Sequence, residues 1–346
     1  MKNILVIKLR YIGDVLLATP VLRALREGFP KARVTMAVNR GTEEIVTGNP
    51  DAHEVVVVDR EGLAADIRFL RDLRRRRFDC VLDLTDADRS AMMAWASGAP
   101  VRIGFNDEHR WRGLLYTSVV AAPPGHRIER DLAAVRALGI EPKSDQPVLN
   151  MSKQDDAEAA GLLNEIGIET SDAPGRRPLV LLHPGARYWF KAWPAERFAE
   201  LADRLSEAYG CEVLVGGGSQ DRAMAEAIQA RARVPLKSLA GRAGLRHFAA
   251  VVKRCAVFIG NDSGAMHIAA AMDAPIVALF GPSNPAEWGP RGRRVAVLYK
   301  GLDCRPCFHP TCRRGEDHCM RQISVDEVFA AASKLIAARE AVGGRA

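Results

Sequence analysis

The chain has 346 residues, 48% hydrophobic and 26% charged, which is the composition of a globular protein with room for two domains. No apolar stretch approaches the roughly 20 residues that a membrane-spanning helix requires, and the apolar segment at 4–7 is too short for a secretory signal, so we expect a cytoplasmic protein. The net charge of +7 favours anionic partners, whereas an aromatic content of only 6% argues against nucleic acid, whose bases stack on aromatic side chains.

Strand-like and helical patterns alternate along the first half of the chain. The strand-like runs lie at 4–9, 33–38, 55–59 and 80–84, and the helical stretches lie at 16–27, 42–47, 63–76 and 89–96, followed by helices at 127–138 and 154–166. This alternation predicts a parallel sheet with helices on both faces.

The first strand passes into the first helix through a turn that contains Gly13 and Asp14. Ligands of doubly wound sheets bind at such carboxyl ends of strands. Two interpretations of Asp14 stay open at this point. Its carboxylate either caps the helix, which is worth about 1 kcal/mol, or faces a ligand.

The helix predicted at 63–76 is strongly basic, with Arg68, Arg71 and the arginine run 74–77. One interpretation is a solvated helix face. The other is a patch that rests on an anionic membrane surface, where each basic residue contributes about 1 kcal/mol.

The alternation starts again after the segment 169–178, whose polar, Pro- and Gly-containing sequence predicts a linker. Strand-like runs lie at 179–183, 212–215, 257–259 and 276–280, and helical stretches lie at 195–208, 221–232, 245–253, 265–272 and 325–338. We predict two α/β domains of similar size that face each other across a cleft. Their bounds are 1–170 and 171–324, with a closing helix and tail at 325–346.

Two junctions in the second half carry charged and small residues. HPGARYWFKAWP at 183–194 places Gly185, Arg187 and Lys191 before a helix, a combination that suits a diphosphate. An ordinary loop with solvated cations is the alternative. The glycine run at 216–218 lacks the spacing of a dinucleotide or P-loop fingerprint and is weak evidence alone.

The second of these junctions is GNDSGAMHIAAA at 260–271. Asp262, Ser263 and Gly264 occupy the helix start, and His267 lies one helical turn beyond Ser263. Asp262 as a plain helix cap is the simple interpretation, but it leaves the Ser-Gly pair and the histidine unexplained. We expect an anion at this helix start, and the segment 280–290 as another wall of the same cleft.

An acidic residue opposite a phosphate-binding domain is the arrangement expected for glycosyl transfer from a nucleotide sugar. One domain would hold the diphosphate leaving group, and Asp14 of the other would remove the proton from the acceptor hydroxyl. General-base catalysis of this kind typically contributes 10²–10⁴-fold in rate.

Four cysteines lie close together as C-x2-C-x4-C-x6-C, with His309 and His318 nearby. They are Cys304, Cys307, Cys312 and Cys319. In a cytoplasmic chain this density predicts a structural metal, with zinc as the default and an iron–sulfur cluster as the second choice. Reduced thiols in a surface loop are the alternative.

Three motifs in order, IKLRYIGDVLLATPVLRAL, HPGARYWFKAWP and GNDSGAMHIAAA, resemble those of the bacterial ADP-heptose:lipopolysaccharide heptosyltransferases, glycosyltransferase family 9. The resemblance extends over nearly the whole chain, and the first two motifs are most similar to the heptosyltransferase III group. It implies a GT-B fold with an N-terminal acceptor domain and a C-terminal ADP-sugar domain, both Rossmann-like, and a final helix that packs back towards the first domain.

The resemblance also implies an activity: inverting transfer of L-glycero-D-manno-heptose onto the lipopolysaccharide inner core, without a catalytic cofactor. Asp14 matches the general base and Lys191 the lysine that neutralises the diphosphate. The implied donor-binding residues are Gly185, Ala186, Arg187, Lys191, Asp221, Asp262, Ser263, Gly264 and His267, and the first motif is expected to supply the acceptor contacts Lys8, Arg10 and Gly13. The lipid A-linked acceptor implies peripheral contact with the cytoplasmic face of the inner membrane.

Two rival functions stay open from the sequence. One is a GT-B enzyme that uses another nucleotide sugar, either as a transferase or as an epimerase. The other is a non-catalytic, metal-stabilised protein that binds anionic glycolipid.

Overall fold

The computed structural model describes residues 1–59, 62–170, 177–304 and 312–343. The chain forms two compact units, Met1–Asn150 and Met151–Ala346. Within the described residues, no helix combines the length and the apolar character needed to cross a membrane.

The first unit is a six-stranded parallel sheet with helices. Its strands are β1 (Asn3–Lys8), β2 (Arg33–Asn39), β3 (Glu54–Val58), β4 (Cys80–Asp83), β5 (Val101–Phe105) and β6 (Ser118–Val120). Its helices are α1 (Ile12–Leu17), α2 (Thr19–Gly28), α3 (Leu63–Arg75), α4 (Asp88–Ala96) and α5 (Arg127–Arg136), with short 3₁₀ helices at Glu43–Ile45 and Trp111–Leu115.

The strand order in this sheet is β3-β2-β1-β4-β5-β6, and all neighbours are parallel. The apolar runs of β1 and β4 are buried, as expected for central strands covered on both faces. The order changes direction between β1 and β4, so the loops after these two strands flank the topological switch point. In doubly wound sheets this is where ligands bind.

The second unit repeats the architecture. Its strands are β7 (Leu179–His183), β8 (Glu212–Val215), β9 (Lys237–Ser238), β10 (Val257–Asn261), β11 (Ile276–Phe280) and β12 (Val295–Tyr299). Its helices are α6 (Lys153–Glu165), α7 (Ala195–Tyr209), α8 (Arg222–Gln229), α9 (Leu245–Arg254), α10 (Gly264–Ala271), α11 (Pro285–Trp288) and α12 (Val325–Gly343), with 3₁₀ helices at Trp189–Lys191, Ser219–Asp221, Gly315–Asp317 and Cys319–Gln322.

The strand order of the second sheet is β12-β11-β10-β7-β8-β9, again with parallel neighbours throughout. Its switch point lies between β7 and β10. The prediction of an α/β protein with two doubly wound sheets is therefore confirmed. The last helix, α12, packs on α7 and on strands β10 and β11 of its own unit.

Two predicted boundaries are wrong. The helix expected at 16–27 is two helices that meet at Ala18, with Pro20 in the first turn of α2. Proline is tolerated there because the backbone N–H groups of the first turn have no carbonyl acceptor within the helix. The chain divides at Asn150 rather than at 170, because α6 packs on α9 of the second unit.

Ion pairs between α6 and α9 hold this arrangement. Asp155 forms a bidentate ion pair with Arg246, in which Nε lies 2.9 Å from Oδ1 and Nη2 lies 2.5 Å from Oδ2. Asp156 forms an ion pair with Arg254 at 2.8 Å. Asp155 also completes a capping box with Ser152 at the start of α6. Hydrogen bonds from Arg246, and then from Ser152, hold the pKa of the Asp155 carboxyl well below its usual range.

We expect Asp155→Asn to lower the free energy of unfolding by about 1–3 kcal/mol near pH 7, because a charge-assisted pair is lost. The stabilisation by this carboxylate is present above its unfolded-state pKa of 3.8 and declines as the pH falls below that value. Urea unfolding between pH 7 and pH 2 should show a constant difference between the two proteins down to about pH 4 and a narrowing difference below it. Glu165→Gln, which breaks the exposed pair with Arg242, is the matched control and should change stability by less than about 1 kcal/mol.

Candidate active site

The carboxyl ends of β1 and β4 meet the start of α5 in a network of buried charges. The Lys8 ammonium lies 2.6 Å from Asp131 Oδ2 and donates to the Leu84 carbonyl at 3.1 Å, and both charged side chains are almost completely buried. Burial raises the pKa of the Asp131 carboxyl, and the neighbouring Lys8 opposes this. Lys8 is thus engaged inside the unit by Asp131 and the Leu84 carbonyl, and its expected contact with an acceptor stays a prediction.

Asp86 is the second centre of this network. It follows β4 with a positive φ of 56°, a conformation that aspartate tolerates better than most residues. One oxygen accepts from Arg112 Nη2 at 2.8 Å and the other from Arg130 Nη2 at 2.8 Å. Both arginines are buried, and the Arg130 guanidinium also lies 3.9 Å above the Phe105 ring. These bonds lock the loop after β4 to α5 and to the 3₁₀ helix at Trp111–Leu115.

Asp14 lies beside this rigid framework. It is half-buried in the first turn of α1, next to the switch point, and the N-cap residue Tyr11 makes no side-chain cap there. The charge of Asp14 interacts electrostatically with Arg127, the first residue of α5. Burial, followed by repulsion from Arg130, lowers the pKa of Arg127, whereas the charge of Asp14 is among those that oppose the change.

A pocket of about 500 Å³ opens next to the same strand ends. Its wall consists of residues at the carboxyl ends of β1 to β4 and just beyond them, including Arg10, Tyr11, Asn39, Asp59 and Thr85. Arg10 is exposed and is oriented by two hydrogen bonds from its guanidinium to the Thr85 carbonyl, at 3.1 and 2.8 Å. The pocket therefore offers a fixed guanidinium and several hydroxyl and amide groups, which suits a polyhydroxylated, anionic ligand.

In the second unit, Lys191 extends over the switch point of the sheet. Its ammonium lies 2.7 Å from Asp262 Oδ2 and 2.6 Å from Ser283 Oγ. About a fifth of the lysine side chain is exposed, so the charge is held in place but is reachable by a ligand. Lys191 follows β7, Asp262 follows β10 and Ser283 follows β11, so three separate loops converge on one cation.

Asn261 fixes these loops relative to each other. It is fully buried at the end of β10. Its side-chain oxygen accepts from the Trp193 amide at 3.1 Å, and its side-chain nitrogen donates to the Pro184 carbonyl at 2.7 Å. Trp193 is itself buried and donates from Nε1 to the Ile323 carbonyl at 2.9 Å. The 183–194 loop therefore has little freedom at the position of Lys191.

The hydroxyl of Ser263 lies at the start of α10 without a hydrogen-bond partner among the described residues. Ser263 is the N-cap residue but makes no side-chain cap, and within the described residues its buried Oγ has no hydrogen-bond partner. The first amides of α10 point towards the same place, and helix starts favour anions. His267 is buried one turn further along the helix.

Asp221 is placed differently from the expectation. It is buried and accepts from the Gly218 amide at 2.8 Å, and it packs so tightly on Gly185 that a Cβ there would lie 2.7 Å from its Oδ2. It joins the glycine loop after β8 to the loop after β7. The neighbouring His183 is neutral near pH 7, because burial lowers its pKa and the charge of Asp221 only partly opposes this.

The predicted cysteine cluster is only partly visible. Cys307 and His309 lie outside the described residues, whereas Cys304, Cys312 and Cys319 are half-buried. Among the residues that can be described, no three His, Cys, Asp or Glu side chains are arranged to hold a metal ion. His318 is buried, and its ring lies edge-on to Trp189 at 5.5 Å.

Several residues of these sites were not identified from the sequence. They are Asp86, Arg127, Arg130 and Asp131 in the first unit and Asn261 and Ser283 in the second. The spacing of Arg127, Arg130 and Asp131, on one face at the start of a helix, was a usable signal for the first unit. For Ser283 the signal was its position in the segment 280–290, which follows a strand. The sequence predicts this segment as a wall of the cleft but does not single out Ser283.

Comparison with known proteins agrees with this architecture. The family model described as glycosyltransferase family 9 (heptosyltransferase) matches residues 67–318. Lipopolysaccharide heptosyltransferase 3 of Escherichia coli K12 is 26% identical over 340 residues, which cover 95% of this chain and 96% of that protein.

Solved structures show the same fold over the whole chain. The family 9 glycosyl transferase of Veillonella parvula superposes with a TM-score of 0.84 at 26% identity and 97% coverage of both chains. The E. coli ADP-heptose lipopolysaccharide heptosyltransferase II gives a TM-score of 0.81 at 24% identity, covering 98% of this chain and 100% of that one. Since the family model matches well over half of the sequence, the chain belongs to glycosyltransferase family 9, the heptosyltransferases, and is a glycosyltransferase enzyme.

Proposed function

We propose that the protein transfers heptose from ADP-L-glycero-D-manno-heptose onto the inner core of lipopolysaccharide, with inversion at the anomeric carbon. The observation that carries the proposal is the Lys191 ammonium, which Asp262 and Ser283 hold at the switch point of the second sheet. A fixed but accessible cation next to a helix start suits the diphosphate of a nucleotide sugar. The names of the family and of its E. coli relative point to heptose as the sugar.

The donor would bind to the second unit. Lys191 neutralises the charge that develops on the ADP leaving group when the glycosidic bond breaks. The Ser263 hydroxyl and the first amides of α10, beginning at Gly264, donate to phosphate or sugar oxygens. Gly185, Ala186 and Arg187 supply backbone and guanidinium contacts from the loop after β7. Asp221 acts on Gly185 by packing and holds that loop in position.

The first unit would supply the base. The Asp14 carboxylate accepts the proton of an acceptor hydroxyl, and the hydroxyl oxygen attacks the anomeric carbon of heptose. The bond from that carbon to the β-phosphate oxygen breaks, and ADP leaves with the electron pair. Because the attack comes from the face opposite the leaving group, the configuration inverts. No metal takes part in these steps.

The polar pocket at the carboxyl ends of β1 to β4 is our proposed acceptor site. Arg10 and Thr85 line it, and Gly13, which precedes the base, lies buried in the first turn of α1. An inner-core sugar carries many hydroxyls and anionic groups, so the fixed guanidinium of Arg10 suits it. This assignment places the enzyme at the cytoplasmic face of the inner membrane, where a lipid A-linked acceptor would be found.

The test is transfer from ADP-heptose to purified inner-core acceptors that lack heptose. We expect release of ADP only when the acceptor is present, together with a product heavier by one heptose. Release of ADP without acceptor would indicate an epimerase or hydrolase. Tight ADP binding without transfer to any inner-core acceptor would contradict the heptosyltransferase assignment.

We also propose that Cys304, Cys307, Cys312 and Cys319 bind a structural metal, because four thiolates form the usual donor set of zinc and iron–sulfur sites. The transfer steps above do not use it. We expect elemental analysis of the purified protein to find about one zinc, or the iron of one cluster, per chain, and Cys304→Ser/Cys312→Ser to lose it. A metal-free wild-type protein would show that these cysteines are reduced thiols.

A further inference from the structure

The first unit exposes four large apolar side chains on two neighbouring elements. On α4 they are Met92 and Trp95, exposed by 46% and 60%, and on the 3₁₀ helix at Trp111–Leu115 they are Trp111 and Leu114, exposed by 51% and 87%. We call these four residues the apolar patch. Monomeric proteins seldom expose large apolar groups side by side unless the surface binds something.

The two elements bring the four side chains to one surface. Asp88, Met92 and Trp95 follow each other at helical spacing along one side of α4, and Asp88 contacts the guanidinium of Arg112 at 3.4 Å. Arg112 belongs to the 3₁₀ helix and points inwards, so Trp111 and Leu114, which share a face at a spacing of three, point outwards beside α4. On the inner side of the two elements, Ala91, Met93 and Ala94 of α4 and Leu115 of the 3₁₀ helix pack into the core of the unit.

Basic residues border the apolar patch. Helix α3 packs on α4, and six arginines against two aspartates lie between Asp66 and Arg77. The guanidinium of Arg74 lies against Gly98, just beyond the end of α4. Arg68 and Arg71 are exposed on the same helix. The surface therefore combines tryptophans with a surplus of positive charge.

We propose that the apolar patch and the basic face of α3 dock the enzyme on an anionic phospholipid membrane. Tryptophan is the side chain best suited to the membrane–water interface, and arginines next to it attract anionic head groups. A second copy of the chain would fit this surface less well than a membrane, because a two-fold interface would bring the two arginine-rich α3 helices together and their charges would repel.

Docking at this place would serve the proposed acceptor. The 3₁₀ helix of the apolar patch carries Arg112, which binds Asp86 at the carboxyl end of β4, so the membrane-binding surface and the loops around Asp14 belong to one rigid framework. A lipid-linked sugar would then reach the pocket without leaving the bilayer. This step rests on the proposed function, whereas the docking itself rests on the surface alone.

The test is sedimentation of the full-length protein with vesicles of phosphatidylglycerol and phosphatidylethanolamine, compared with phosphatidylcholine alone. We expect binding to the anionic vesicles that weakens with salt. Trp95→Ala/Trp111→Ala/Leu114→Ala should lower the partition coefficient by about tenfold or more. Arg71→Gln/Arg74→Gln should lower it by about fivefold per charge. Trp189→Ala, which removes a tryptophan of the second unit exposed by 56%, should bind like the wild type.

Three outcomes would overturn the docking proposal: no binding of the wild type to anionic vesicles, equal binding of the triple variant, or a triple variant that only converts a dimer into a monomer. A catalytic readout separates this proposal from the proposed function. Transfer to an acceptor embedded in vesicles should fall in the triple variant, whereas transfer to a deacylated, water-soluble acceptor should not. Failure of all transfer, with vesicle binding intact, would refute the function and not the docking surface.

Discussion

Asp14→Asn is expected to lower kcat by about 10²–10⁴-fold, with little effect on the binding of ADP-heptose. Asparagine keeps the size and most hydrogen bonds of aspartate but cannot accept a proton, so the acceptor hydroxyl would have to lose its proton to water. The donor is bound by residues of the second unit in our proposal, and its affinity should therefore persist. Steady-state kinetics with an inner-core acceptor, together with calorimetric titration of ADP, measure the two effects separately.

The control is Glu141→Gln, the same acid-to-amide change at an exposed position that pairs with Arg136. It should leave kcat within about twofold of the wild type, since surface ion pairs of this kind contribute little. A second check is the Asp14→Glu variant, which keeps the carboxylate but displaces it and should retain more activity than the amide. If Asp14→Asn turned over like the wild type, Asp14 would only stabilise the first turn of α1, and the base would have to be sought elsewhere.

Most of the fold could be predicted from the sequence because its central strands are continuous apolar runs. The runs predicted at 179–183 and 276–280 coincide with β7 and β11, and those at 33–38 and 55–59 differ from β2 and β3 by one residue. The missed strands are different in kind. β5 begins with two half-buried residues, one of them Arg102. β6 has three residues and β9 has two, and β12 is an edge strand with no fully buried position, so none of these strands shows a clear periodicity.

The sites were predictable only as far as local sequence determines them. Strand-to-helix junctions located Asp14, Lys191 and Asp262, because parallel strands of one sheet end at the same edge. The partners of these residues come from far along the chain. Asp131 is 123 residues from Lys8, and Ser283 is 92 residues from Lys191. Only the folded sheet order decides which side chains meet, and so the buried position of Lys8 and the inward-facing position of Asp221 could not be read from the spacing.

Lys191→Ala is expected to lower kcat by about 10²–10³-fold, the usual effect of removing one preorganised group that stabilises charge in the transition state. The donor affinity should fall as well. In the wild type Lys191 sits 2.7 Å from Asp262, and its removal would leave that half-buried carboxylate uncompensated, next to a diphosphate of the same sign. Single-turnover kinetics with saturating acceptor and a titration of ADP-heptose measure the two losses.

The double variant Lys191→Ala/Asp262→Asn separates the effect of the lost cation from that of the unpaired carboxylate. If repulsion from the unpaired carboxylate contributes to the loss, the double variant should bind ADP-heptose more tightly than Lys191→Ala alone, although kcat stays low because the cation is still missing. Lys253→Ala, which removes an exposed lysine at the end of α9, controls for the loss of one positive charge in the unit. Independent, additive effects of the two substitutions would mean that Asp262 acts on the donor directly and does not merely hold Lys191 in place.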